Sequence, residues 1–179
     1  MDKKEILDKA LEMAIDRGWK NTSVRELSKA IGYSTIKIYS EFESKENLLL
    51  EIQRNGFEQL KSAYLNAIKS LPSDKDKLIA ITIEHYLFSK KNKALYDLMF
   101  QMDGAPCSLP SRAILENTSE PIRHILTNIA GKLDKSLFFH WWAIAHGFVN
   151  IAHSDKVSEK EALEMLNSIM SNFIKGITP

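Results

Sequence analysis

Between Thr22 and Leu49 the chain reads TSVRELSKAIGYSTIKIYSEFESKENLL, a stretch compatible with very few folds. Ser23 with Glu26 three residues on is a capping box, so a helix opens there and its apolar spacing carries it to about Ile31. Gly32 supplies the turn, and Ser34 caps a second short helix that runs to about Glu41. Ser44 then caps a long helix from Lys45 to about Lys69. Two short amphipathic helices joined by a glycine turn have the layout of a helix-turn-helix, whose second helix enters the major groove of DNA.

The rest of the chain has helical periodicity and no sustained strand alternation, so the fold class is all-α with about nine helices. A first helix starts at Asp2, with Glu5 three positions on, and stops at Gly18. Beyond Pro72, helices are expected over Asp74 to Ser89, Asn92 to Met102, Ser119 to Gly131, Asp134 to Ser154 and Ser158 to Gly176. The helix near Ser119 is placed there because proline fits within a first turn, and Pro121 would sit in it. Residues 103 to 110, DGAPCSLP, read as a loop. The expected domains are 1–47, a helix-turn-helix head, and 48–179, a larger helical body.

Charge does not announce a partner globally, since the formal net charge is +1. Locally, Arg17, Lys20, Arg25, Lys29, Lys37 and Lys45 outnumber Glu26, Glu41 and Glu43, which permits several phosphate contacts. Cys107 is the sole cysteine, so no disulfide forms within the chain, and a reducing cytoplasm is the expected compartment. The start, MDKKEILDKA, has no apolar signal core, and the apolar run from Leu137 to Ala152 is too short to span a bilayer. No cofactor and no membrane association are expected.

Further residues sharpen the motif. The pattern Gly-x-x-x-Thr-Ser-Val-Arg-Glu-Leu-Ser from Gly18, Gly-Tyr-Ser from Gly32, Tyr39, Phe42 and Ser-Lys-Glu-Asn-Leu from Ser44 resembles the N-terminal domain of the TetR family of transcriptional regulators. Trp142-Ala-Ile-Ala-His146-Gly147 resembles the Trp-x-x-x-His-Gly signature of one C-terminal subgroup. The resemblance implies a homodimeric repressor that a small apolar or aromatic effector releases from a near-palindromic double-stranded DNA operator. It places DNA contacts at Thr22, Ser23, Arg25, Ser34, Thr35, Lys37, Tyr39 and Lys45. Ser34 and Thr35 open the recognition helix, where hydroxyls and backbone N–H groups meet phosphates. Ile31, Ile36, Ile38 and Phe42 are expected in the core of the three-helix head. The family's usual Tyr-x-His-Phe is Tyr39-Ser40-Glu41-Phe42 here, so a carboxylate lies near the expected phosphates and must point away or pair with a lysine.

For the effector, the aromatic and methionine-rich middle of the chain offers His85, Phe88, Met99, Phe100, Met102, Phe138, Trp142 and His146. Singly, each is more often plain core, and His140 and His153 are read as ordinary buried or rim histidines. The helix from Asp134 is apolar nearly all round, which requires burial on two sides. The resemblance implies a four-helix dimer interface with Ala143, Gly147, Ala152, Leu166, Ile169, Met170 and Phe173. A two-fold dimer sets its recognition helices about 34 Å apart, or a multiple. No metal site is expected, because the spacing of His140, His146 and His153 matches no ligand pattern. No catalytic constellation is visible either. The rival reading is a helical ligand- or partner-binding module that has lost specific DNA recognition.

Overall fold

Serine caps set the helix starts in the first half of the chain. In the computed structural model, which describes residues 3–100, 109–154 and 157–179, α1 spans Lys3–Arg17, α2 Val24–Ile31 and α3 Thr35–Phe42. They are followed by α4 (Lys45–Ile68), α5 (Asp74–Lys91), α6 (Lys93–Met99), α7 (Leu109–Ala130), α8 (Ser136–Ser154) and α9 (Glu159–Ile177). The described residues contain no strand. The cap expected at Asp2 lies outside them, as do Met102 and Cys107.

The chain divides into two compact units, one within Met1–Glu58 and Asn92–Leu115, the other within Gln59–Lys91 and Glu116–Pro179. The first contains the three-helix head. Its centre is Ile6, Ala10, Leu27, Ile38, Phe42 and Leu48, all nearly inaccessible to solvent. Gly56 on α4 belongs to this unit, and α6 lies against it: a Cβ there would come within 2.5 Å of Met99 Sδ. Close by, the buried Gln53 donates from Nε2 to Leu98 O at 2.9 Å.

The second unit is built round Trp141, Tyr64, Leu78, Ile81, Ile122 and Val149, with at most 1% of each exposed. The inner face of α9 is Ala162, Leu166, Met170 and Ile174, a residue every four positions. Ser158 and Glu161 form the expected capping box at its start.

One boundary differs from expectation. α7 begins at Leu109, ten residues before Ser119, and carries Pro121 in its interior. The missing N–H and the ring's crowding of the preceding turn cost about 3 kcal/mol. Burial of Ile122, Ile125 and Leu126 directly after it offsets this, at about 1.5–3 kcal/mol for each side chain. Tertiary packing therefore overrides the stop signal. Ser119 Oγ, buried beside the proline, donates to Glu116 O at 2.8 Å and accepts from Arg123 Nε at 3.0 Å.

Candidate nucleic-acid interface

Local hydrogen bonds fix the head. Ser23 Oγ accepts from Glu26 N at 3.2 Å, and the Glu26 carboxylate accepts from Ser23 N, completing the box. Gly32 closes α2 in the left-handed conformation, φ 73°, and its N–H donates to Ser28 O. Tyr33 N donates to the same carbonyl at 3.0 Å, while Ser28 Oγ donates to Tyr33 O. Ser28 thus pins both ends of the turn that aims α3. Ser28 closes the motif that begins at Gly18, but its part in the turn was not foreseen, because a serine inside a capped helix usually faces water.

Ser34 caps α3, accepting from Lys37 N at 3.2 Å. Ile38 and Phe42 point inward, 1% and 3% exposed. Ile36 does not: it is 79% exposed, the most exposed large apolar side chain among the described residues. Expecting it in the core was wrong for a geometric reason. Residues two apart on a helix lie about 200° apart, so Ile36 and Ile38 cannot share a face. Ile31 is only half-buried. Tyr39 is 47% exposed, three positions after Ile36 and hence on the same side of the helix.

The charges of the head are partly neutralised within it. Lys37 Nζ lies 2.6 Å from Glu41 Oε1, so the anomalous carboxylate pairs with a lysine, one of the two arrangements foreseen. This hydrogen bond, with the lysine's charge, holds the Glu41 carboxyl below its ordinary range. Arg17 bonds Glu26 at 2.9 Å. Arg25, Lys20 and Lys29 are exposed.

Lys45 is half-buried. Its Nζ donates to Trp19 O at 2.9 Å and sits 5.1 Å from the centre of the Trp19 ring, and burial lowers its pKa. Thr22 is 3% exposed and donates from Oγ1 to Gly18 O. Both residues therefore shape the loop between α1 and α2. Ser23, Ser34 and Thr35 stand at the two helix starts, and Arg25, Lys37 and Tyr39 offer exposed side chains.

The residues singled out for a small molecule fall into two groups. Met99 and Phe100 belong to the first unit, where the Phe100 ring meets Phe57 edge-on at 5.1 Å and lies 4.5 Å from Tyr96. His85, Phe138, Trp142 and His146 come together in the second unit. The His146 ring stacks on Trp142 at 5.1 Å, and Trp142 lies 5.8 Å from His85 and 6.1 Å from Phe138. His85 is fully buried and shares a 2.5 Å hydrogen bond with Tyr64 Oη through Nδ1. Burial first, then the neighbouring His146, pushes its pKa down to about 3, so it is neutral. Phe88 is buried as well. Sequence inspection missed Tyr64 and Thr82, the polar partners of this cluster; Thr82 Oγ1 accepts from Trp141 Nε1 at 2.8 Å. Among the described residues no three His, Cys, Asp or Glu side chains are grouped to hold a metal.

On α8 and α9 the outward faces are unusually apolar. Phe139 is 63% exposed, Ile151 58%, Met165 47% and Ile169 36%. Ala143 is exposed among them, Gly147 and Ala152 are half-buried, and a Cβ at Gly147 would meet nothing within 4 Å. Leu166 and Met170, expected at a subunit interface, lie instead in the chain's own core, 1% and 0% exposed. α9 carries two adjacent apolar stripes, and these two belong to the inner one. Phe173 is half-buried.

Comparison with known proteins bears on these observations. Residues 6–52 match the family model described as "Bacterial regulatory proteins, tetR family". The HTH-type transcriptional repressor KstR2 of Mycolicibacterium smegmatis is 30% identical over 105 residues, covering 52% of this chain and 51% of that protein. The chain thus spans about half the length of the curated relatives it matches. Among solved structures, the TetR family regulator PfmR of Thermus thermophilus superposes with a TM-score of 0.71 at 21% identity, covering 99% of this chain and 100% of that one. FadR of Bacillus subtilis, in complex with stearoyl-CoA, gives 0.74 at 18% identity, covering 98% and 100%. These likenesses establish the fold over nearly the whole chain. Among the described residues, no helix is long and apolar enough to cross a membrane.

Proposed function

We propose that this chain, whose residues 6–52 match the model of the tetR family of bacterial regulatory proteins, is a homodimeric, effector-responsive DNA-binding repressor. The observation that carries this reading is the head itself. A capped helix, a turn pinned by Ser28 and Gly32, and a second capped helix present Ile36, Lys37 and Tyr39 outward, with Thr35 half-buried at its start. In this reading residues 1–47 are the DNA-binding domain and 48–179 the effector and dimerisation domain. Arg25 and the N termini of α2 and α3 meet phosphates, while Glu41 holds Lys37 back from them. Thr22 and Lys45 act mainly by holding the Trp19 loop in place.

The salt dependence of duplex binding tests the reading. Full-length protein titrated onto a fluorescent duplex from its own upstream region should lose affinity steeply as salt rises. Glu41→Gln should release Lys37 and steepen the log–log slope by up to about 0.9, the worth of one phosphate contact. Binding with no salt dependence would favour the module that has lost DNA recognition. An unchanged Glu41→Gln slope would mean that Lys37 lies off the phosphate path.

The outward stripe of Phe139, Ala143, Gly147, Ile151, Met165 and Ile169 supports a subunit interface between two copies of α8 and α9. Charging its centre with Ile151→Glu and Ile169→Glu together should give monomers in sedimentation velocity while helicity stays unchanged. A dimer that survives both charges would place the interface elsewhere.

The cluster of His85, Phe138, Trp142 and His146 supports an apolar or aromatic effector in the second unit. Acyl-CoA thioesters belong in the first ligand screen, because FadR is bound to one. The chain passes from one unit to the other inside α4, between Glu58 and Gln59, so that helix is the natural lever. A coupling of roughly 1–3 kcal/mol between effector and operator would weaken DNA binding 5- to 150-fold.

A further inference from the structure

The recognition helix lacks the side chains that usually read purines. Thr35–Phe42 contains no Arg, Asn, Gln or His, which leaves Lys37 as its one candidate for bidentate pairing with a purine. Its one long donor, Lys37, is held by Glu41 at 2.6 Å, and Ser40 Oγ donates back to Lys37 O at 2.8 Å. What the helix does present is apolar surface. Ile36, 79% exposed near the N-terminal end, and Tyr39, 47% exposed, share one side.

An isoleucine this exposed is left uncovered by the described residues. In a major groove, the apolar feature that distinguishes one base from the others is the thymine 5-methyl group. Ile36 and Tyr39 are separated along the helix axis by three residues, about 4.5 Å. Successive bases are about 3.4 Å apart along a strand. The two side chains therefore match neighbouring base pairs.

We propose that Ile36 is the principal base-reading residue of this chain, and that with Tyr39 it packs on the 5-methyl groups of neighbouring thymines in each operator half-site. The proposal rests on the DNA-binding reading above and specifies its sequence preference: thymine steps where the helix enters the groove, with no obligatory guanine contact.

Deoxyuridine, which pairs as thymine does but lacks the methyl, supplies the test. A random duplex pool is selected on the full-length wild-type protein, and each thymine of the selected half-site is replaced singly by deoxyuridine. Binding is then read by anisotropy. One or two neighbouring replacements should weaken wild-type binding about fourfold each, the worth of one buried methyl-sized group. Ile36→Ala, whose fold circular dichroism confirms, should bind the unmodified site more weakly and lose nothing further at the thymine that Ile36 contacts. Ile36→Val, which keeps a branched contact, should retain the discrimination. If wild-type protein binds the selected site but no replacement matters, or the alanine variant is equally sensitive, the proposal falls and the DNA-binding reading stands. If no duplex is selected and none binds, both fall.

Discussion

Alanine in place of Trp141 is expected to lower the unfolding free energy by about 3–5 kcal/mol, the range for emptying a fully buried aromatic site. Trp141 is wholly inaccessible, and its ring lies 5.9 Å from His85, 5.9 Å from Phe138 and 6.3 Å from Trp142. Removing it leaves a cavity that these flat neighbours cannot fill without tilting. The lost bond to Thr82 adds little, because Thr82 Oγ1 still donates to Leu78 O at 2.7 Å. Urea titration followed by far-ultraviolet circular dichroism measures the loss. Trp141→Phe separates the contributions: it keeps much of the packing, discards the hydrogen bond and should cost clearly less. Equal costs for the two variants would mean that the bond to Thr82, not the ring, holds the cluster.

Mild acid should weaken the fold through His85. Its folded pKa is lowered to about 3 by burial, whereas the unfolded chain restores the ordinary value of 6.5. Between those values the unfolded state takes up a proton that the folded state refuses. Stability is therefore complete above about pH 6.5 and falls as pH drops, by up to about 1.4 kcal/mol per pH unit. His146, also lowered by burial, acts in the same direction. The paired carboxylates Glu26, Glu41 and Glu161 are lowered too, but their contribution is lost only as pH falls below their ordinary value of 4.5. Glu84, raised by burial, acts in the opposite direction as pH falls toward its range, so the comparison of pH 7 with pH 6 reports the histidines most directly. His85→Gln, which keeps a hydrogen-bonding partner for Tyr64, should flatten most of that slope. A slope unaffected by the substitution would assign the acid sensitivity to His146 or another group.

Local chemistry made half of the architecture legible. Ser23 with Glu26, Ser34, Ser44 and Ser158 with Glu161 all cap helices where they stand in the sequence, because a cap involves residues only three apart. Pro121 misled for the opposite reason. Its local signal says start, and only the burial of the residues after it explains a helix that runs through. Ile36 was legible in principle, since its spacing from Ile38 forbids a shared face, but apolar character outweighed geometry. Leu166 and Met170 were not. Two stripes of similar character run along α9, and which one turns inward depends on what the rest of the unit presents to it. The exposed cations of the head were also overcounted, since pairing of Lys37 with Glu41 and Arg17 with Glu26 needs side-chain geometry.

The position of Trp19 has a spectroscopic consequence. Of the three tryptophans, Trp141 and Trp142 lie together in the second unit, while Trp19 lies in the first, buried beneath the Lys45 ammonium. Emission from Trp19 is thus a label native to the head, placed against the very group that ties its loop to the start of α4. With phenylalanine at positions 141 and 142, the chain would carry one intrinsic fluorophore, and loosening of the Lys45 contact could be followed as a change in its intensity without any attached dye.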